Sequence, residues 1–233
     1  MKYDDARARR LIQEILADPA SKQAGYPAYE LLKEFGRGFP LKHLKDLLRH
    51  TNAHVVARAG WMASELGERG RQLLQDVVPL LSHPYSDVRF WAVDCILSWT
   101  TPNDAAEIAA VLPLLNDPVD GVRWRVLDFL GLAREEKLAA ALTHMKISGV
   151  VPGQISALEW LLSSRAKEPG EIVAALDQPD PVLRKYGAVA AARLAGHVVR
   201  TPKGDVGPLL HASESNDPDI KKFAEFAYRL HKH

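Results

Sequence analysis

The sequence predicts an all-α chain: a single domain, residues 1–233, of about six helical hairpins stacked as an α-solenoid. Three observations carry that prediction. Pro79-Leu80-Leu81-Ser82-His83-Pro84, followed by Asp87-Val88-Arg89, Ala92 and Ile96, recurs thirty-four residues later as Pro113-Leu114-Leu115-Asn116-Asp117-Pro118, then Val122-Arg123, Val126 and Leu130. A fixed period with helical spacing inside each unit marks a stacked repeat. Finally, no segment alternates apolar β-branched residues with polar ones for long enough to make a strand.

The elements follow in order. Asp4 to Ala17 carries Leu11, Ile12, Ile15 and Leu16 at helical spacing and stops at Asp18-Pro19. Pro27 to Phe35 is a short helix closed by Gly36 and Gly38. Pro40 to Arg49 places Leu41, Leu44, Leu47 and Leu48 on one stripe. Ala53 to Leu66 puts Val55, Ala59 and Ala63 where the next repeat has Val88, Ala92 and Ile96, with Gly67 as its C-cap. After the tandem pair, Glu135 to Met145 and Pro152 to Ser164 form a degenerate unit without the Asp-Pro turn or the arginine. The pattern returns at Asp180-Pro181 with Arg184, and at Asp217-Pro218 with Lys221. Aspartate there accepts from free first-turn amides, and proline at the first helical position lacks the amide that would go unpaired. Gly196 to Gly207 reads as a long turn between repeats, and His231 and His233 as a solvated tail.

The formal net charge of +1 gives no global field for nucleic acid or an acidic membrane. The lone Cys95 excludes an internal disulfide and fits a reducing compartment. The charged start, Met1-Lys2-Tyr3-Asp4-Asp5, lacks an apolar signal core, and no apolar run has spanning length. A cytoplasmic protein, monomeric when free and without membrane contact, is the expectation.

The pattern Leu-Leu, then Val-Arg-x-x-Ala-x-x-x-Leu, preceded by Asp-Pro and Asp, resembles the HEAT-repeat (armadillo-like) family. The match is best over 79–131, good over 40–67 and 175–195, and partial over 209–230. The resemblance implies a right-handed α-solenoid whose second helices line a concave face. Most members of that family bind proteins as scaffolds, adaptors or inhibitors.

On the second helices, 100° per residue puts Val88, Ala92, Ile96 and Trp99 on the core stripe. The opposite face collects Phe90 with Asp94, and one repeat later Trp124 with Asp128; each pair is spaced i, i+4. Trp61 takes the place of Asp94 in the repeat before, and Arg58, Trp91 and Arg125 form a neighbouring column. Aromatic residues and arginines are what binding hot spots are made from. Arg58, Trp61, Phe90, Trp91, Asp94, Trp124, Arg125 and Asp128 are therefore the expected partner-binding residues. Arg89, Arg123, Arg184 and Lys221 read instead as structural cations, paired with turn acids such as Asp87, Asp120 and Asp180.

No metal framework or cofactor motif accompanies the nine histidines; His50 and His54 straddle a turn without further ligands. The Gly36-Arg37-Gly38 and Gly67-Glu68-Arg69-Gly70 turns lack the strand of a nucleotide site, and nucleophile motifs are missing. The expected function is thus non-catalytic: capture of another protein on the concave face by an adaptor or inhibitor, a bacterial toxin immunity protein being one form. The alternative rests on similarity to the HEAT-like alkylpurine DNA glycosylases. That resemblance would make Asp94 the residue stabilising charge on the sugar, with Phe90 and Trp91 around the base, Arg123 or Arg125 as the arginine and Trp160 as the second tryptophan. Arg58, Arg165 and Lys167 would join the arginine on the DNA backbone.

Overall fold

A computed structural model of the chain describes residues 2–149, 152–196 and 204–232. All regular structure among them is helical, as the repeat pattern predicts. The packing divides into two compact units, Met1–Trp99 and Thr100–His233. No described helix is long and apolar enough to cross a membrane.

In the first unit, α1 (Asp5–Ala17) pairs with α2 (Gly25–Gly36), and α3 (Lys42–Leu48) with α4 (Ala53–Ser64). Asp4 caps α1 by accepting from the Arg7 amide, and Asn52 caps α4 through the His54 amide at 2.9 Å. Past α4, Gly67 takes φ +54°, a left-handed turn that suits glycine. The third hairpin has a broken first arm: a 3-10 turn over Gly67–Leu73, α5 (Leu74–Val77), and a second 3-10 turn over Val78–Ser82. Pro79 has no amide to continue an α-helical ladder, so the arm tightens instead. Its second arm is α6 (Ser86–Trp99). Helices α2, α4 and α6 pack side by side in chain order, as a solenoid requires. Trp99 ends α6 fully inside, on the stripe expected of it.

The second unit opens with the same broken arm: Pro102–Asp104, α7 (Ala105–Ala109) and Leu112–Asn116, then α8 (Asp120–Leu132). The pairs α9 (Glu135–Ser148) with α10 (Pro152–Leu162), α11 (Pro169–Leu176) with α12 (Pro181–Leu194), and α13 (Gly207–Ser213) with α14 (Pro218–Lys232) follow. Here the packing is not strictly sequential. Helix α12 touches α8, α10 and α14, and α14 returns to pack on α8. Helix α14 extends to Lys232, and His231 reaches the Ala195 carbonyl at 2.8 Å, so it is not the solvated tail expected. The expected Gly196–Gly207 turn falls largely on residues 197–203, outside the described residues.

The repeat arginines are structural, but by another route than pairing with Asp87, Asp120 and Asp180. Arg89 Nη1 donates to the carbonyls of His83 and Pro84, at 2.8 and 3.0 Å. Arg123 does the same to Asp117 and Pro118, and Arg184 to Gln178 and Pro179. In each repeat one guanidinium satisfies the two carbonyls six and five residues before it, which the turn leaves without amides. Asp120 meanwhile pairs with Lys222 at 2.8 Å, and Asp180 accepts from the Val182 amide. Arg123 also pairs with Asp219 on α14, with bonds of 2.7 and 2.9 Å; Lys185 adds a third contact at 3.2 Å.

Candidate functional site

Three of the sequence-selected residues come together in the first unit. Arg58 and Trp61 on α4 and Trp91 on α6 line one cavity of about 320 Å³, with Pro19, Ala20, His54, Ala57, Tyr85 and Asp87. Of the lining, Ala57 is buried with Val56 and Val88 in one apolar cluster, against which Tyr85 and Trp91 lie half-buried. The helices can approach so closely because Gly60 faces α6: a Cβ there would meet Trp91 Cβ at 3.0 Å. One turn on, the Cys95 thiol donates to the Gly60 carbonyl at 3.6 Å.

Arg58 is held in place rather than free to swing. Its Nε donates to the Pro19 carbonyl at 2.9 Å and Nη2 to the Ser21 carbonyl at 2.5 Å, which ties α4 to the turn after α1. On the opposite wall, the Tyr85 ring stands edge-on to His54 at 5.1 Å, with its hydroxyl 3.4 Å from Nδ1. Burial, and the nearby Asp87 carboxylate, raise the Tyr85 hydroxyl above its ordinary pKa, so it remains a neutral donor. A fixed cation, flat aromatic walls and neutral hydroxyl and indole donors can grip an apolar group and orient a polar one beside it.

Phe90 and Asp94 lie half-buried on the same helix; the Phe90 ring meets Trp91 edge-on at 4.9 Å. Helix α2 adds residues that sequence reasoning missed. Tyr26 and Tyr29 are 70% and 51% exposed, with the Lys33 ammonium 4.3 Å above the Tyr29 ring. The start of α2 lies beside Arg58: a Cβ on Gly25 would sit 3.9 Å from Arg58 Nη1. Their i, i+3 spacing was the available signal. It was obscured because α2 lacks the Val-Arg pattern that fixed the register of later repeats.

The remaining three residues sit in the second unit, in different surroundings. Trp124 is half-buried with its ring edge-on to Phe226 of α14, at 5.0 Å. Asp128 is only 4% exposed and forms an ion pair with Arg125, itself almost enclosed. A single core stripe assumes that one side of α8 is covered. Packing by both α12 and α14 covers a second side. Arg165 is paired with Glu171 and Lys167 with Glu135; Trp160 is half-buried on α10. Among the described residues, no group of three or more His, Cys, Asp or Glu side chains is placed to hold a metal ion.

No family model matches the chain, and no curated protein matches it. Solved structures do. An engineered protein matches at 16% identity and a TM-score of 0.45, covering 97% of this chain and 88% of its own. A designed armadillo repeat protein matches at 16% identity and 0.44, covering 95% and 90%. A second designed armadillo repeat protein, in complex with a (KR)4 peptide, matches at 14% identity and 0.44, covering 96% and 91%.

Proposed function

We propose that this chain is a non-catalytic protein-binding module, and that its docking surface is the face shared by α2, α4 and α6. The observation that carries the reading is the cavity where Arg58, Trp61 and Trp91 meet Tyr85 and His54. Large aromatic residues left partly open around a fixed arginine match the composition of binding hot spots. Tyr26 and Tyr29 extend the surface along α2. Trp61 and Trp91 act as anchors, and Arg58, Asp87 and Asp94 set register and charge preference. The biological role is that of an adaptor or inhibitor, of which a toxin-masking immunity protein is one form.

The glycosylase alternative gains no comparable support. Arg123 and Arg125, the arginines it would place on DNA, both form ion pairs with carboxylates of the chain itself.

The test is affinity capture from native lysate with the wild type and a Trp61→Ala/Trp91→Ala variant of unchanged circular dichroism. A partner kept by the wild type, lost by the variant, and then shown to bind as a purified protein supports the proposal. Full retention of every captured protein by the variant rules this face out.

A further inference from the structure

A second cavity, of about 480 Å³, is lined wholly by residues of the second unit and by none of those assigned to docking. Its walls are Leu161, Ala166, Ala190 and Leu194, and its charged lining is Arg134, Glu135, Glu136, Lys167 and Arg193. We infer that this cavity binds a small organic anion, a carboxylate on an apolar body, with Arg193 as the group that receives the charge.

Arg193 stands in the last turn of α12, and Nη1 donates to the carbonyls of Leu130 and Ala133 at the end of α8, at 2.8 and 3.0 Å. Those bonds fix the plane of the guanidinium but occupy only one of its nitrogens. Nη2 and Nε have no partner among the described residues, and the side chain lines the cavity. Burial lowers the Arg193 pKa from its usual value, and Glu135, the carboxylate pulling the other way, makes no hydrogen bond to it. A desolvated cation facing an open volume, bonded only to carbonyl dipoles and with no carboxylate in hydrogen-bond contact, is favourable ground for an anion.

The rest of the lining is consistent with that ligand. Glu135 is neutralised by Lys167 at 3.2 Å, leaving Arg134 to offset the exposed Glu136, so Arg193 supplies the net positive charge. The volume lies within the range of small-molecule sites, which are largely apolar with a few placed polar groups. Four apolar side chains would hold the ligand body, while the fork of Nε and Nη2 suits the two oxygens of a carboxylate.

Three probes of one shape test the inference by calorimetric titration of the full chain: phenylbutanoate, phenylbutanol and phenylbutylamine. Saturable binding of the carboxylate, at least about tenfold tighter than the alcohol and with no binding of the amine, supports it. Arg193→Gln should weaken the carboxylate about tenfold or more, and Arg193→Lys should restore part of the loss. Because Arg193 also holds the end of α8, the exposed Lys167→Glu is the variant that leaves those bonds intact, giving up only a surface ion pair; it should weaken the carboxylate several-fold and leave the alcohol unchanged. Equal binding of the three probes, no saturable carboxylate binding, or no response to Lys167→Glu overturns the inference. Since the cavity is lined by second-unit residues alone, each of these outcomes leaves the docking proposal standing.

Discussion

Gly70 lies flat against the indole of Trp99: a Cβ on Gly70 would fall 2.3 Å from Cζ2 and 2.8 Å from Nε1. The buried indole N–H finds no acceptor among the described residues, so shape rather than hydrogen bonding holds Trp99 in place. Gly70→Ala is expected to destabilise the protein by about 2 kcal/mol through overpacking. Urea denaturation followed by tryptophan fluorescence measures this. Combining it with Trp99→Phe should cost less than the sum of the two single changes, because the smaller ring returns the space. A neutral Gly70→Ala would mean the contact is slack.

The Arg123–Asp219–Lys185 cluster predicts a dependence on acid. Burial alone would raise the Asp219 pKa, but hydrogen bonds and charge from Arg123 and Lys185 outweigh it and leave the value lowered. A carboxylate depressed in the folded state contributes stability that is fully present above its unfolded value and lost as pH falls through its folded one. Asp219→Asn should therefore cost about 2 kcal/mol at neutral pH and progressively less below about pH 4. Urea midpoints of both proteins across that range check it. A constant difference at every pH would remove charge from the explanation.

Histidine stands in for aspartate in two of the turns. The Asp117 carboxylate accepts from the Val119 amide, His83 Nδ1 from the Tyr85 amide, and His50 Nδ1 from the Asn52 amide. His83→Asp should be neutral or stabilising, while His83→Ala should cost about 1 kcal/mol. Thermal unfolding separates them, and equal losses would show that the ring packs rather than accepts.

Trp124 tests how the second unit is closed. Its edge-on contact with Phe226 predicts that Trp124→Ala lowers stability by about 2 kcal/mol and leaves partner capture through the first unit unchanged. Denaturation and the capture assay, run side by side, decide it. Lost capture with undiminished stability would return Trp124 to the docking surface.

Methylated duplex DNA separates binding from catalysis. Neither the wild type nor Asp94→Asn is expected to release alkylated base above background, while an authentic glycosylase control does. Release by the wild type, lost in Asp94→Asn, would make Asp94 catalytic.

What the sequence disclosed follows from how locally each feature is encoded. The Asp-Pro starts, the Val-Arg spacing and the leucine stripes act within one hairpin, so the helices appear close to where the pattern puts them. Arg58, Trp61 and Trp91 come together as the pattern suggests because α4 and α6 are neighbours in the chain and share one register. Trp124 and Asp128 have the same local pattern, but the surroundings of α8 depend on Phe226 and the rest of α14, about a hundred residues later. No period within a repeat can report that contact. Tyr26 and Tyr29 were missed for the opposite reason, since their repeat has drifted too far for its register to be read.

The return of α14 to α8 also sets an order of events during synthesis. A linear array of hairpins can settle one by one as it leaves the ribosome. Here Arg123 and Trp124 must wait for Asp219 and Phe226, which are made about a hundred residues later. Until those residues emerge, α8 carries an unmatched cation and an open aromatic edge, the kind of transient surface that chaperones recognise. The second unit therefore completes its fold only after α14 has been translated.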